Sequence, residues 1–108
     1  MALNSAGAVI SMKKLNKHDQ YVAELCNQIK DYYDSVTPNY KIQGNKRSIG
    51  EVDILARKGE KLDLFEVKCS HRPIKAKKQL SRLRPYIGGR GESFFYCGSS
   101  GLLLALKI

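Results

Sequence analysis

The chain has no Cys-x-x-C pair, no apolar run of 18 residues and about half as many acidic as basic side chains, and each shortage closes off a class of protein. Cys26, Cys69 and Cys97 are odd in number and widely spaced, which argues against a disulfide framework and a zinc knuckle and fits a reducing, cytoplasmic (intracellular) setting. Cys26 falls on the apolar stripe of a predicted helix and Cys97 in an aromatic strand, where a cysteine behaves as a small buried hydrophobe. Without a long apolar segment no spanning helix, and so no membrane partner, is expected. Met1 to Met12 lack a basic leader followed by an apolar run and a cleavage site, so they read as a flexible N-terminal arm (1–12) ahead of a single domain over 13–108. Internal repeats and low-complexity segments are also missing.

What is present suits one compact domain: 108 residues, 43% hydrophobic and 27% charged. The 19 Lys and Arg against 10 Asp and Glu give a formal charge of +9, which favours a polyanionic partner. Of those 19 basic residues, 11 lie between Arg57 and Arg90, a clustering that points to nucleic acid rather than to a generally basic surface.

Apolar residues recur at three and four from Lys17 to Tyr33 (Val22, Leu25, Cys26, Ile29, Tyr33), predicting an amphipathic helix with Asn16 as its N-cap. Thr37-Pro38-Asn39 breaks that pattern, Tyr40 to Gln43 reads as a short strand, and a loop is expected from Gly44 to Gly50. Glu51 to Ala56 and Leu62 to Lys68 alternate as β-strands and form a hairpin. A second helix is predicted from Ile74 to Arg84, with Ala76, Leu80, Leu83 and Ile87 as its stripe and Pro85 as its stop. Two strands follow, Ser93 to Cys97 and Leu102 to Ile108, around the turn Gly98-Ser99-Ser100-Gly101. The last is apolar almost throughout, so it is expected to be covered on both faces, as an inner strand or by a second copy of the chain.

A tight turn at Gly59 and Glu60 places Asp53 opposite Glu66 and Glu51 opposite Lys68. Residues 51, 53, 64, 66 and 68 then share one sheet face, while Val52, Ile54, Phe65 and Val67 face a core on the other. Two carboxylates directly opposite, with Cβ atoms about 5 Å apart, repel unless a positive group lies between them. A divalent cation resolves the conflict, and carboxylates without His or Cys partners favour Mg²⁺, with Mn²⁺ able to substitute. Such a site, with Lys68 to orient water or stabilise the transition state, holds what phosphodiester hydrolysis needs. Spacing alone leaves open that these carboxylates merely pair with lysines on the surface.

Gly50-Glu51-Val52-Asp53-Ile54-Leu55-Ala56 followed by Phe65-Glu66-Val67-Lys68 resembles the core motif of the PD-(D/E)XK nuclease superfamily, in appearance nearest to archaeal Holliday-junction resolvases and RecB-like and YraN-like nucleases. Glu24 on the first helix resembles the acidic helix residue of those families, and Gln79 the glutamine on the helix after the E-x-K strand. The first strand departs from the pattern, carrying Glu-Val-Asp where many members have Pro-Asp, and the Lys68 to Gln79 spacing also suits virus-type replication-repair nucleases. The resemblance implies an α/β fold with a restriction-endonuclease-like αβββαβ core, a mixed central sheet flanked by helices. It implies that Asp53, Glu66, the Val67 carbonyl and Glu24 hold metal, that Lys68 serves the nucleophile, and that Gln79 positions substrate or a ligand. Arg47, Ser48, Arg72, Lys75, Lys78 and Arg82 are the expected phosphate contacts, giving affinity with little sequence choice.

The expected function is therefore a metal-dependent DNA endonuclease acting on branched or Holliday-junction DNA, possible as a homodimer because a four-way junction offers two symmetric cuts. The alternatives are a virus-type replication-repair or restriction-like nuclease on other DNA forms, and a non-catalytic basic DNA-binding module.

Overall fold

The structure, a computed structural model, describes residues 2–3, 9–10 and 15–108. Residues 2–3 and 9–10 pair as a two-residue antiparallel ladder, and the rest of the expected arm lies outside the described residues.

Helix α1 (Lys17–Ile29) begins where expected: Asn16 Oδ1 accepts a hydrogen bond from the Asp19 amide at 2.8 Å, which satisfies one of the helix's free donors. The predicted continuation to Tyr33 tightens into a 3₁₀ turn, Lys30–Tyr32. Strands β1 (Ser35–Gln43), β2 (Ser48–Lys58) and β3 (Lys61–Lys68) follow as an antiparallel meander. Helix α2 (Pro73–Ile87) crosses over to β4 (Ser93–Cys97), which runs parallel to β3, and β5 (Leu102–Leu106) closes the sheet antiparallel to β4. The sheet order is β1-β2-β3-β4-β5. This is the mixed sheet and αβββαβ order of the expected restriction-endonuclease-like core, with one further strand.

Helix α1 covers one sheet face, where Val22, Leu25 and Ile29 meet Ile54, Ala56, Phe65, Val67 and Tyr96. Helix α2 covers the other, with Leu80 and Leu83 against Ile42, Val52 and Leu64, and Ala76 against Phe95 and Cys97. Both faces are therefore core, and the expectation of one chemical and one structural face is corrected. Val52 also belongs to the α2 side and Ile54 to the α1 side. Strict alternation would put them on one face, so the strand changes sides at Asp53.

Four other expectations change for tertiary reasons. β1 absorbs Thr37-Pro38-Asn39 because it is an edge strand with a single neighbour, where a proline is tolerated, and Asn39 takes a φ of 52° that asparagine accepts. The loop before β2 shrinks, since pairing resumes at Ser48 opposite Gln43. α2 runs through Pro85 to Ile87, because Pro85 lies in the last turn while Leu83 and Ile87 still pack on the core. β5 is the outer edge of the sheet and not an inner strand, with Leu102 and Leu103 each 42% exposed.

Candidate active site

The tight turn forms as predicted, with Lys58 opposite Lys61 and Gly59 at a φ of 59°. Its ladder stops at Ile54 opposite Phe65. On its other edge β3 pairs with β4 from Leu64 to Lys68, so beyond Phe65 the β4 ladder continues while the β2 ladder has ended, and β2 and β3 part at the level of Asp53 and Glu66. That parting overturns the predicted pairs beyond it. Glu51 lies opposite Lys41 of β1 rather than Lys68, and Asp53 meets β3 through its side chain.

Asp53 Oδ2 accepts the Val67 amide at 2.9 Å, which places the carboxylate inside the fork and beside the Glu66–Val67 peptide. Both carboxyl groups are buried, Asp53 at 8% and Glu66 at 2% exposure, so the reading as surface pairs with lysines fails on burial. Lys68 Nζ lies 3.0 Å from Glu66 Oε2 and donates to Gln79 Oε1 of α2 at 3.2 Å. The expected group of Asp53, Glu66, the Val67 carbonyl, Lys68 and Gln79 is thus assembled from β2, β3 and α2.

Glu66 Oε1 is buried with no hydrogen-bond partner, which is costly for a carboxylate. Burial pushes the Glu66 pKa up, the neighbouring Asp53 charge adds to this, and the contact with Lys68 pulls it back, leaving it at about 7. An orphaned carboxylate oxygen beside a second carboxylate fits a hard cation, whose charge would relieve both the desolvation and the repulsion. Among the described residues no three His, Cys, Asp or Glu side chains converge closely enough to cage a metal unaided. Backbone oxygen or water would have to complete the shell, as suits Mg²⁺ or Mn²⁺.

Glu24 is not brought to this group. It is exposed on α1, and its place is taken by His18, six residues earlier and about 120° away around the helix. His18 Nε2 sits 3.1 Å from Asp53 Oδ2 and 3.1 Å from the Val67 carbonyl oxygen. Both neighbours are acceptors, so Nε2 carries the hydrogen and donates to them. Burial alone would lower the His18 pKa, but the Asp53 charge and the hydrogen bonds to Asp53, Asp19 and Val67 outweigh it, and the net shift is upward. Sequence reasoning passed over His18, although one signal was available: it continues the Val22, Leu25, Ile29 stripe one turn toward the N-terminus as its polar end.

The expected phosphate contacts are all exposed. Lys75, Lys78 and Arg82 fall within an arc of about 60° on α2. Arg82 Nη1 donates to the Ile49 carbonyl at 3.2 Å and so joins this ridge to Arg47 and Ser48 at the start of β2. Gly50 makes room for the junction, since a Cβ there would lie 2.8 Å from Leu83 Cδ2. Arg72, Lys75 and Lys78 line a groove of about 830 Å³ at the start of α2, together with His71, Pro73 and Ile74. Gln79, touching Lys68, links this cationic face to the buried carboxylates.

No protein family and no curated protein matches the chain. A solved structure, the EndoMS-dsDNA2 complex, is similar to it at 16% sequence identity and a TM-score of 0.45, over 82% of this chain and 39% of that one. The chain spans about two-fifths of the length of that neighbour. Among the described residues no helix is long and apolar enough to cross a membrane.

Proposed function

We propose that the chain is a metal-dependent DNA endonuclease that hydrolyses phosphodiester bonds, with branched DNA, such as a Holliday junction, as its substrate. The observation that carries this reading is the partnerless Glu66 oxygen buried beside Asp53, with Lys68 linking Glu66 to Gln79 of the helix that bears the cationic ridge. Asp53, Glu66 and the Val67 carbonyl would hold the metal, with His18 within reach of the same two oxygens. Bound Mg²⁺ or Mn²⁺ would supply acidification of water and screening of charge on the phosphate. Lys68, fixed between Glu66 and Gln79, orients the attacking water or faces the charge that builds on the phosphate oxygens. Arg47, Ser48, Arg72, Lys75, Lys78 and Arg82 contact phosphates and hold the backbone in register. Two copies related by a two-fold axis would present two sites to the two symmetric strands of a junction.

The test is cleavage of labelled four-way junction, flap, linear duplex and single-stranded DNA with Mg²⁺, Mn²⁺ or chelator. The expected result is metal-dependent cutting at symmetric junction positions, reduced by about a hundredfold or more in Asp53→Asn and Lys68→Ala proteins that keep their fold. Cutting confined to other DNA forms would retain the nuclease and replace its substrate with that of a replication-repair or restriction-like enzyme. DNA bound but intact under every condition would leave a non-catalytic binding module.

A further inference from the structure

Ile74 is 72% exposed, the most exposed of the large apolar side chains among the described residues. A single exposed isoleucine is ordinary on a protein surface, but this one stands in a particular place. On α2, Ile74, Lys78, Arg82 and Lys75 occupy about 100° of the helix surface, turned away from the Ala76, Leu80 and Leu83 stripe that meets the sheet. Ile74 is the apolar member of that cationic face and lines the groove with Arg72, Lys75 and Lys78. An edge-on contact of His71 with the ring of buried Phe95, centroids 5.6 Å apart, pins the groove wall to the sheet.

An apolar protein surface docking here would strip water from three cationic groups and offer them nothing in return. DNA meets both needs together, with phosphates for the cations and an apolar base face for the isoleucine. Gln79, which touches the catalytic lysine, follows Ile74 by five residues, about 7.5 Å along the helix axis. That is roughly two base steps at about 3.4 Å each.

We propose that Ile74 is a wedge that enters an unstacked base step in DNA held by the groove, and that it thereby selects branched or otherwise interrupted duplex over continuous duplex. Apolar side chains inserted between base steps unstack them, and the cost is least where stacking is already broken. This gives the nuclease reading its substrate discrimination and rests on that reading for the cut, though not for the binding.

The experiment measures binding in chelator, using a four-way junction and a continuous duplex that both carry 2-aminopurine, whose fluorescence rises on unstacking. The wild-type protein should raise the fluorescence beside the branch point and bind the junction about tenfold or more tightly than the duplex, the order expected of one favourable insertion. Ile74→Ser should abolish the rise and bring the two Kd values together with Tm unchanged, while Ile74→Phe should restore both effects. Lys75→Ala with Lys78→Ala should weaken binding to both DNAs alike. An Ile74→Ser protein that keeps the fluorescence rise and the preference overturns the wedge, even if the enzyme cuts junctions. Insertion and preference without cleavage in Mg²⁺ would uphold the wedge and defeat the nuclease reading. Absence of any DNA binding would defeat both.

Discussion

Glu66 and His18 both hold a proton more tightly in the folded chain than in the unfolded one. For a carboxyl group that is the unfavourable direction. As pH rises from about 4.5 to about 7 the unfolded chain gives up the Glu66 proton first, so the metal-free protein loses stability across that window. His18 acts with the same sign: its contribution is fully present below 6.5 and disappears as pH climbs through its raised value. Each group contributes a slope of at most about 1.4 kcal/mol per pH unit. Thermal unfolding in chelator should therefore give a Tm that falls between pH 5 and pH 8, and Glu66→Gln should flatten the profile. A mutant profile as steep as that of the wild type would place the slope elsewhere. Saturating Mg²⁺ or Mn²⁺ should restore Tm at pH 8 in the wild type and not in the mutant, because ligand binding stabilises only the state that holds the site.

At the scale of elements, the site depends on where α1 rests on the sheet. Gly98, at the start of the turn between β4 and β5, lies under the Tyr21 ring, and a Cβ on it would come within 2.1 Å of Tyr21 Cδ2. Tyr21 is one turn from His18, so this close approach sets the height of the helix end that reaches Asp53. Gly98→Ala should cost about 1–3 kcal/mol through overpacking and should return the His18 titration, read by NMR, toward its ordinary value as the ring leaves Asp53. Gly59 is a useful contrast. It needs its left-handed φ for the β2–β3 turn but has nothing within 4 Å of a Cβ, so Gly59→Ala should destabilise by backbone strain of about 1 kcal/mol and leave His18 unmoved. Equal effects of the two substitutions on His18 would remove the Tyr21–Gly98 contact from this account.

Across the whole molecule, exposed apolar surface stands in two settings: Ile74 lies within the cationic ridge of α2, and the leucines of β5 lie at the sheet edge. The +9 charge includes the ridge along α2 and the start of β2, whereas β5 at the sheet edge carries leucines without a proline or charged side chain within Leu102–Leu106. Edge strands of that kind pair with other strands unless something blocks them. Antiparallel pairing of β5 with β5 of a second copy is the route to the proposed homodimer, and it would place the two forks on opposite sides of a two-fold axis. Sedimentation at micromolar concentration should then give twice the chain mass, and Leu103→Lys should give the chain mass with Tm little changed at high dilution. A wild-type monomer at micromolar concentration would dismiss the dimer while leaving each site intact.

Residue patterns were enough to place the local elements and to single out Asp53, Glu66 and Lys68 as a group. The stripe of α1, the Asn16 cap, the turn at Gly59 and the Asp53, Glu66, Lys68 set were legible because periodicity, capping and turn chemistry depend on residues close in the chain. How the elements meet was settled by long-range packing. The β2–β3 ladder ends at Ile54 and Phe65 while β3 goes on beside β4, and that early end, which no local pattern encodes, turned a predicted cross-strand pair into a fork with Asp53 reaching the Val67 amide. The rotation of α1 against the sheet put His18 rather than Glu24 beside Asp53, since hydrophobic pattern marks the buried stripe but not which polar residue at its end meets the site. Edge position likewise allowed Pro38 inside β1 and left β5 uncovered, because strand order in a sheet is settled by long-range packing.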